Sequence, residues 1–346
     1  MKAIVLHRYG PPEVLSYEEV PDPQPRQGEI RIRIHAATVN RVLDVSLRAG
    51  NESARGPVLP LIPGVDCAGV LDAVGPGVTQ WRPGMRVAAA GVMPLEPCGE
   101  DGAGYNGPTG MMGIKRPGGF AQLVAVPACA ATALPPALDF HRAAVVMRHV
   151  PTAWNLLVNV AELKVHETVL IMGAGGNLGS IGIQIARNVI GAGVIAAAGS
   201  DERVRLGLAL GADHGLNYNT CDLAAEVMKL TRGEGVDVLY DNIANPKVLP
   251  GAFHALGMDG RLVTAGAHAG PHVSIDFSHL YHKRITIKGR PGHRHADVAK
   301  CFAAAAACKI KPQIEHILPL SRAADAHRLV ESGQAQGKIV LDPTLD

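Results

Sequence analysis

The stretch VLIMGAGGNLGSIGIQIAR, residues 169–187, decides the fold of this chain. An apolar strand pattern at 169–172 runs into a glycine-rich turn with Gly-x-x-Gly-x-x-Gly spacing and one extra glycine, and a helical pattern follows. Glycines let a pyrophosphate approach the backbone, and N–H groups at a helix start favour an anion. A tight turn without a ligand would look similar, but the strand pattern that follows at 193–199 favours a dinucleotide. The expected phosphate-binding residues are Gly173, Ala174, Gly175, Gly176, Asn177 and Leu178.

The segments around this turn alternate regularly between strand and helix. Strand patterns occupy 167–173, 193–199, 214–218, 236–243, 261–266 and 284–290. Helical patterns lie between the earlier strands, at 178–190, 202–211 and 222–233. This alternation predicts an α/β fold whose parallel, doubly wound sheet is covered by helices on both faces.

The first 130 residues follow a different pattern. Short alternating stretches, such as 1–6 and 29–39, are separated by many prolines, which predicts a compact and irregular β-barrel. The last strand pattern, GKIVL at 337–341, could return to this barrel. We therefore predict a barrel domain at 1–130 and 292–346, and a dinucleotide-binding domain at 131–291.

Composition narrows the classes of function. The net charge of +2 comes without a long basic run, and aromatic residues make up only 4%, so a nucleic-acid partner is not expected. No apolar run reaches the ~18 residues of a membrane span, and the first residues lack a secretory apolar stretch. The six cysteines are scattered and form no Cys-x-x-Cys pair. These features predict a cytoplasmic protein with reduced thiols and a small-molecule substrate.

The choice of cofactor should depend on the residues after the second strand of the dinucleotide domain. An NAD site usually places an acid there to hold the ribose 2′-hydroxyl, but Ala198 and Gly199 carry no carboxylate. Ser200 and Arg203 could instead receive a 2′-phosphate, with Arg205 as a second candidate. The competing interpretation is that Asp201 caps the helix while the arginines are solvated. We expect NADPH.

Several motifs, in order along nearly the whole chain, resemble the medium-chain dehydrogenase/reductase superfamily, and within it the zinc-independent quinone oxidoreductase-like branch. VNRVLDVSLRAG (39–50) is similar to the branch's VNPxDxxxRxG segment but is one residue longer. PLIPGVDCAGVLDAVGPGV (60–78) resembles PxxPGxExAGxVxxVGxGV, with Asp66 as the acid, and LGADHGLNY (210–218) matches LGADxxINY. The resemblance implies a GroES-like β-barrel catalytic domain plus a Rossmann domain.

The same resemblance implies positions for the cofactor and for a partner subunit. Asn40, and Thr152 in VPTAWNLLV (150–158), would approach the nicotinamide, and Tyr218 would stand near the adenosine phosphate. The residues implied at the nicotinamide end are Asn242, Ile243, Gly266, Ala267 and His268. A homodimer is implied as well, formed by sheet edges for which RLVTAG (261–266) and RITIKGR (284–290) are the candidate strands.

Residues 91–119 correspond to the lobe in which alcohol dehydrogenase-type relatives carry a structural zinc. Only Cys98 remains of its four cysteines, and one thiol cannot form a tetrahedral site. The catalytic ligands are replaced as well, by Asn40, Val65 and Arg148. We expect no metal, and a glycine-rich loop in which Tyr105, Met111 and Met112 form an apolar lid.

Without a Lewis acid, alcohol oxidation needs another group to remove the hydroxyl proton. Reduction of a C=C bond conjugated to a carbonyl, or of a quinone, needs only donors beside the developing enolate or phenolate. The candidate donors are Asn40, Thr152 and His149, although a histidine on an apolar helix is often a core residue. The sequence therefore predicts an NADPH-dependent enone or quinone reductase.

Other interpretations remain open. One is an alcohol dehydrogenase or carbonyl reductase of the same superfamily, and another is a non-catalytic NADPH-binding protein. Asp44 would orient Asn40 or cap a helix, and Asp66 would bind Arg48. The histidines of GRPGHRHAD (289–297) suggest a metal site, but the adjacent arginines favour a surface turn or a phosphate contact.

Overall fold

The computed structural model describes residues 1–51, 56, 58–99, 106–335 and 337–346. These residues divide into two compact units. Unit 1 comprises 1–148, 298–306 and 312–346, and unit 2 comprises 149–297 and 307–311. Within the described residues, no helix combines the length and apolar character needed to cross a bilayer.

The amino-terminal part of unit 1 consists mainly of short strands. The strands are β1 (Lys2–Leu6), β2 (Leu15–Glu19), β3 (Glu29–Thr38), β4 (Asp66–Val74), β5 (Arg86–Ala90), β6 (Val92–Pro94), β7 (Thr109–Met111), β8 (Leu123–Pro127) and β9 (Ala131–Ala133). A π-helical turn at Arg41–Val45 leads into helix α1 (Ser46–Ala49), and α2 (Phe140–Trp154) follows β9. The division between the units falls inside α2, between Arg148 and His149.

Unit 2 contains six parallel strands and the helices between them. The strands are β10 (Thr168–Met172), β11 (Gly193–Ala198), β12 (His214–Asn217), β13 (Val236–Tyr240), β14 (Leu256–Thr264) and β15 (Thr286–Gly289). The helices are α3 (Asn177–Gln184), α4 (Asp201–Ala209), α5 (Leu223–Leu230), α6 (Leu249–His254) and α7 (Phe277–His282), with π-helical segments at Asn155–Val160 and Ile185–Ile190.

The sheet of unit 2 has the order β12-β11-β10-β13-β14-β15, and every neighbouring pair is parallel. This is the doubly wound order of the Rossmann fold, so the predicted fold class is confirmed. The strand order reverses at β10, and a crevice for a ligand opens at such a switch point, beyond the carboxyl ends of the strands.

The chain returns to unit 1 after residue 297. The returning elements are α8 (Val298–Ala306), β16 (Ile314–Pro319), α9 (Ala323–Ser332) and β17 (Lys338–Asp342). They complete a mixed sheet in the order β16-β17-β3-β4-β5-β9, with β8 pairing on β3. The predicted return of GKIVL to the first unit is therefore confirmed, because β17 pairs with β3 at Val340 and Thr38.

Each unit has its own apolar core, built by strand alternation in unit 1 and by buried strands in unit 2. Ile30, Ile32 and Ile34 point to one face of β3 and are fully buried. In unit 2, Leu170 and Leu239 pack against Phe253. Burying one such side chain stabilises the fold by about 1.5–3 kcal/mol.

The borders of the compact units differ from the expected domain borders of 130/131 and 291/292. Residues 131–148 belong to unit 1 because β9 pairs with β5 and Arg86 donates to carbonyl oxygens of Pro135 and Pro136. Residues 292–297 belong to unit 2 because Asn155 donates to the Gly292 oxygen and Asn159 donates to Asp297.

The structure corrects one expected sheet edge. RLVTAG lies in β14, which has β13 on one side and β15 on the other, so it is not an edge strand. The chain adds one more parallel strand beyond β14, and that strand, β15, lies within RITIKGR. Of the two segments, only the second lies at an edge of the sheet.

Candidate active site

The glycine-rich turn of unit 2 requires glycine at specific positions. Gly173 has a left-handed φ of 71°, and a Cβ there would lie 2.7 Å from Cδ1 of Ile243. Gly176 donates a 2.8 Å hydrogen bond to the Gly173 oxygen and starts α3. A Cβ on Gly179 would overlap that same oxygen. The turn is therefore closed tightly under the start of α3, which leaves backbone space for a phosphate.

The end of β11 carries no carboxylate that faces the turn. Ser200 is the N-cap of α4, and its Oγ accepts from the Arg203 N–H. The Asp201 carboxylate accepts a 2.7 Å hydrogen bond from Asn217. The suggestion that Asp201 caps α4 is therefore wrong, since Ser200 is the cap and Asp201 is engaged by the neighbouring strand.

Arg203 and Tyr218 lie beside this strand end. The aliphatic stem of Arg203 packs over Gly175, where a Cβ would lie 2.6 Å from Arg203 Cγ. The Tyr218 hydroxyl packs against Gly199, where a Cβ would lie 3.0 Å away. Because the Ser200 hydroxyl uses a lone pair in its cap, its own proton can still be donated. The arrangement offers a hydroxyl and a guanidinium next to the phosphate turn.

Residues after β13 and β14 meet at the same edge of the sheet. Asn242 Oδ1 accepts from the Ala265 N–H at 2.8 Å, and a Cβ on Gly266 would lie 3.3 Å from His268 Nε2. The contact between Ile243 and Gly173 joins this group to the phosphate turn. The structure thus places most of the predicted cofactor residues of unit 2 close together, around the phosphate turn and at the carboxyl ends of the neighbouring strands. They are Gly173, Gly175, Gly176, Ser200, Arg203, Tyr218, Asn242, Ile243, Gly266, Ala267 and His268.

Thr152 and His149 lie one turn apart on the part of α2 that belongs to unit 2. Thr152 is 9% exposed, and His149 is half-buried. The segment that contains His293 and His295 is held to this helix end through Asn155. In the part of the chain that the structure describes, no three His, Cys, Asp or Glu side chains converge to hold a metal, so this segment has no ligand set.

In unit 1, Asn40 occupies the centre of a buried polar cluster. The Asn40 Nδ2 lies 3.0–3.2 Å from four oxygens, two on Thr38, one on Asp44 and one on Asp66. Its Oδ1 accepts a 2.8 Å hydrogen bond from the ammonium of Lys338. Both amide hydrogens therefore have acceptors inside the cluster, and Asn40 itself is 5% exposed.

The 39–50 segment, which is one residue longer than the family motif, contains the π-helical turn at Arg41–Val45. The Val45 N–H bonds to the Asn40 oxygen five residues back, at 3.1 Å. The turn brings Asp44 Oδ2 to 2.8 Å from the Asn40 N–H. Of the two roles considered for Asp44, the structure therefore supports the one in which it orients Asn40. Such single π turns often occur at functional sites.

Burial dominates the electrostatics of this cluster. It raises the pKa of Asp44 to about 7, with the nearby Asp66 as a second cause, and raises the pKa of Asp66. It lowers the pKa of Lys338 to about 8, while the two carboxylates oppose that shift. Asp44 Oδ1 has no hydrogen-bond partner among the described residues, which suits a protonated carboxyl oxygen.

Two expectations about neighbouring residues are wrong. Asp66 does not bind Arg48; it accepts hydrogen bonds from Thr38 at 2.5 and 2.6 Å. Arg48 instead pairs with Glu331. In the lobe, Met112 is fully buried in the barrel core and so cannot be a lid residue, and Tyr105 lies outside the described residues.

The reasoning from sequence missed Thr38 and Lys338. Thr38 ends a strand two residues before Asn40, and Lys338 starts the last strand of unit 1. The available signal was a lysine directly before the apolar run at 339–341, and the structure shows that this lysine is 4% exposed. Lysine is almost never buried without partners, so that position indicates buried acids nearby.

Known proteins resemble the chain over both units. Family models for an alcohol dehydrogenase GroES-like domain and for a zinc-binding dehydrogenase match residues 26–136 and 177–307. A quinone oxidoreductase from Lama guanicoe is 31% identical over 99% of this chain and 97% of its own. A 2-haloacrylate reductase from a Burkholderia species is 30% identical over 99% and 98%. The crystal structure of an NAD-dependent alcohol dehydrogenase superposes with a TM-score of 0.89 at 34% identity, covering 99% of both chains.

Proposed function

The chain belongs to the medium-chain dehydrogenase/reductase superfamily, and from this premise we propose that it is an NADPH-dependent reductase of α,β-unsaturated carbonyl compounds or quinones that works without a metal. Relatives over almost the whole chain are a quinone oxidoreductase and a 2-haloacrylate reductase. Both names describe acceptors that are conjugated or quinoid. Superfamily membership supports a nicotinamide cofactor, which supplies a hydride when bound.

The Asn40 cluster is the observation that carries the metal-free part of the proposal. Asn40 stands where a ligand cysteine is expected, and its amide is already hydrogen-bonded to Thr38, Asp44, Asp66 and Lys338. Val65, at a second ligand position, is packed among apolar side chains. These side chains do not fit a tetrahedral zinc site, which needs thiolate, imidazole or carboxylate ligands that converge.

The residues of unit 2 fit a dinucleotide. The phosphate turn from Gly173 to Leu178 would hold the pyrophosphate, and the Ser200 hydroxyl and Arg203 guanidinium would hold a 2′-phosphate. The end of β11 has Ala198 and Gly199 where an NAD site usually has an acid, and the nearby Asp201 carboxylate is bound by Asn217. We therefore favour NADPH, although one relative by structure is described as NAD-dependent.

For the acceptor, we assign hydrogen-bond donation to Thr152 and His149. A carbonyl or quinone oxygen gains negative charge when hydride reaches carbon, and a hydroxyl or imidazole donor stabilises that charge. The Asn40 hydrogens are used within unit 1, so we assign Asn40 the role of a rigid support. Water can protonate the α-carbon of an enolate or the oxygen of a phenolate, so an enone or a quinone needs no further acid.

Steady-state kinetics with purified, metal-analysed protein tests the proposal. We expect NADPH oxidation with an enone or a benzoquinone, unchanged by a chelator, and a lower kcat/KM with NADH. Thr109→Val, at an exposed threonine of β7, is a matched control for the Thr152→Val variant, which should lose at least about tenfold in kcat. Turnover that needs zinc, or that occurs only with an aldehyde, would contradict the proposal.

The alternative of an alcohol dehydrogenase or carbonyl reductase is supported by the structural relative described as an NAD-dependent alcohol dehydrogenase. The same assay separates the two functions, because a carbonyl reductase turns over an aldehyde and reverses with the alcohol and NADP⁺. An enone reductase turns over the C=C bond and leaves the saturated carbonyl as the product.

We also propose a homodimer through the edge strand β15. All four residues of β15 are exposed, and Ile287 is 46% exposed. The adjacent α7 exposes Phe277 and Tyr281. An exposed edge with apolar side chains is a pairing surface. Sedimentation should give a dimer for the native chain and a monomer for Ile287→Lys, with Leu208→Lys, an exposed leucine on α4, as the control.

A further inference from the structure

Two of the six cysteines of this chain are in contact in unit 1. The sulfur atoms of Cys98 and Cys129 lie 3.0 Å apart, although 31 positions separate the residues in the sequence. Cys98 follows β6 in the 91–119 lobe, and Cys129 is the middle residue of a short turn between β8 and β9. Both are free thiols, and both are partly exposed, so a small oxidant can reach the pair.

The same loop supports the backbones of both cysteines. Gly28 has a left-handed φ of 73°, and a Cβ there would lie 2.7 Å from the Cys98 oxygen. The Gly28 oxygen accepts a 2.9 Å hydrogen bond from the N–H of Ala128, next to Cys129. The Trp81 indole N–H donates to the Ala128 oxygen at 3.2 Å. These contacts hold the two sulfur atoms near bonding distance before any reaction occurs.

We propose that Cys98 and Cys129 are a redox modification site, which a hydroperoxide oxidises to an intramolecular disulfide that ties the segment after β6 to the turn before β9. This inference is independent of the proposed reductase activity. Cys98 is the cysteine that remains in the segment where relatives carry a structural zinc. The disulfide would join this cysteine to Cys129 of the barrel.

The two thiols have different roles in the reaction. Burial, and then the hydrogen bond and charge of Cys98, raises the pKa of the Cys129 thiol to about 12, so Cys129 keeps its proton at neutral pH. The first attack on the peroxide is assigned to Cys98. The guanidinium of Arg116 favours the Cys129 thiolate, and the opposing effect of a Cys98 charge disappears once Cys98 is oxidised.

The chemistry balances with one hydroperoxide. The Cys98 sulfur, after loss of its proton, attacks one peroxide oxygen; the O–O bond breaks, and with hydrogen peroxide one water leaves. Cys98 is then a sulfenic acid. The Cys129 sulfur attacks the Cys98 sulfur, the S–S bond forms, and the S–O bond breaks with loss of a second water. The two thiols lose two electrons, which the peroxide accepts.

Peptide mapping gives a direct test on the full chain. Lys115 lies between the two cysteines, so trypsin separates them unless a disulfide joins their peptides. Reduced protein is treated with hydrogen peroxide, alkylated and digested without reductant. We expect the Cys98 and Cys129 peptides to appear joined, and to separate with dithiothreitol. The oxidised protein should unfold about 5 °C higher, because the disulfide closes a loop of 31 residues.

Single-cysteine variants make the assignment specific. Cys308→Ser removes an exposed thiol and should leave both the joined peptides and the rise in unfolding temperature unchanged. Cys129→Ser should abolish both, and Cys98 should then accumulate as the sulfenic or sulfinic acid. Failure of the native chain to form the link, or linkage of either cysteine to another partner, overturns the proposal. Oxidation of Cys129 ahead of Cys98 overturns the assigned order of attack.

Discussion

Lys338 and Asn40 are 298 positions apart in the sequence, yet the Lys338 ammonium donates a 2.8 Å hydrogen bond to Asn40 Oδ1 inside unit 1. It also donates to the Val39 oxygen at 3.0 Å. The last strand of the unit therefore fixes which way the Asn40 amide points. Oδ1 faces the ammonium, so Nδ2 must face the carboxylates of Asp44 and Asp66.

Replacing Lys338 by Met should destabilise the protein strongly. The change keeps the length of the side chain but leaves the Val39 oxygen and Asn40 Oδ1 without their charged donor and removes a positive charge close to two buried carboxyl groups. Each buried acceptor left without a partner costs about 1–3 kcal/mol. The free energy of unfolding in urea measures the loss. Lys309→Met, at an exposed lysine, should stay within about 0.5 kcal/mol of the native value. Equal losses in both variants would show that Lys338 has no special role.

Replacing His327 by Leu should increase the free energy of unfolding at acidic pH. Burial, followed by the charge of Arg48, lowers the pKa of His327 from 6.5 to about 3. Between these values the unfolded chain binds a proton that the folded chain does not, so this group makes stability fall as the pH drops. Neither ring nitrogen has a hydrogen-bond partner among the described residues, so Leu loses little.

Urea unfolding at several pH values measures this effect. From pH 6.5 to pH 4, the difference in unfolding free energy between His327→Leu and the native chain should grow by about 3 kcal/mol in favour of the variant. His166→Leu, at an exposed histidine, serves as the control and should follow the native curve. Parallel curves for the native chain and His327→Leu would mean that folding does not lower the pKa of the His327 ring.

Replacing Gly179 by Ala should damage the phosphate turn. The new Cβ would overlap the Gly173 oxygen, so α3 must shift away from β10, at a cost of about 1–3 kcal/mol. We expect a lower unfolding temperature and weaker nucleotide binding by calorimetry. Gly251→Ala, on α6 with open space around it, should be neutral or slightly stabilising. A Gly179→Ala variant with native nucleotide affinity would contradict the placement of the phosphate site.

Replacing Arg203 by Ala should change cofactor preference. If its guanidinium meets a 2′-phosphate, the loss of a charged hydrogen bond should lower kcat/KM for NADPH by about tenfold or more. The value for NADH should hardly change, because NADH lacks that phosphate. Arg205→Ala, also exposed on α4, provides the comparison. A drop for NADPH in Arg205→Ala alone would move the assignment to Arg205.

The sequence alone was sufficient to predict the architecture of unit 2. Strand periodicity, glycine spacing and helix starts are local properties, and local chain conformation largely decides them. The parallel order then follows, because strand–helix–strand units cross over with one hand. Gly173 and Arg203 were expected near the phosphate turn from this local pattern, whereas Tyr218 and Asn242 were expected there from the resemblance to the superfamily.

Only the tertiary structure decided how distant residues meet. The contacts of Lys338 with Asn40 and of Cys98 with Cys129 join segments whose proximity depends on sheet pairing, and no local pattern encodes that pairing. The same holds for the interior position of β14, which depends on where the next strand adds. A lysine or a cysteine has the same intrinsic preferences in any strand or loop. Its charge, pKa and reactivity depend on the burial and the neighbours that the complete fold provides.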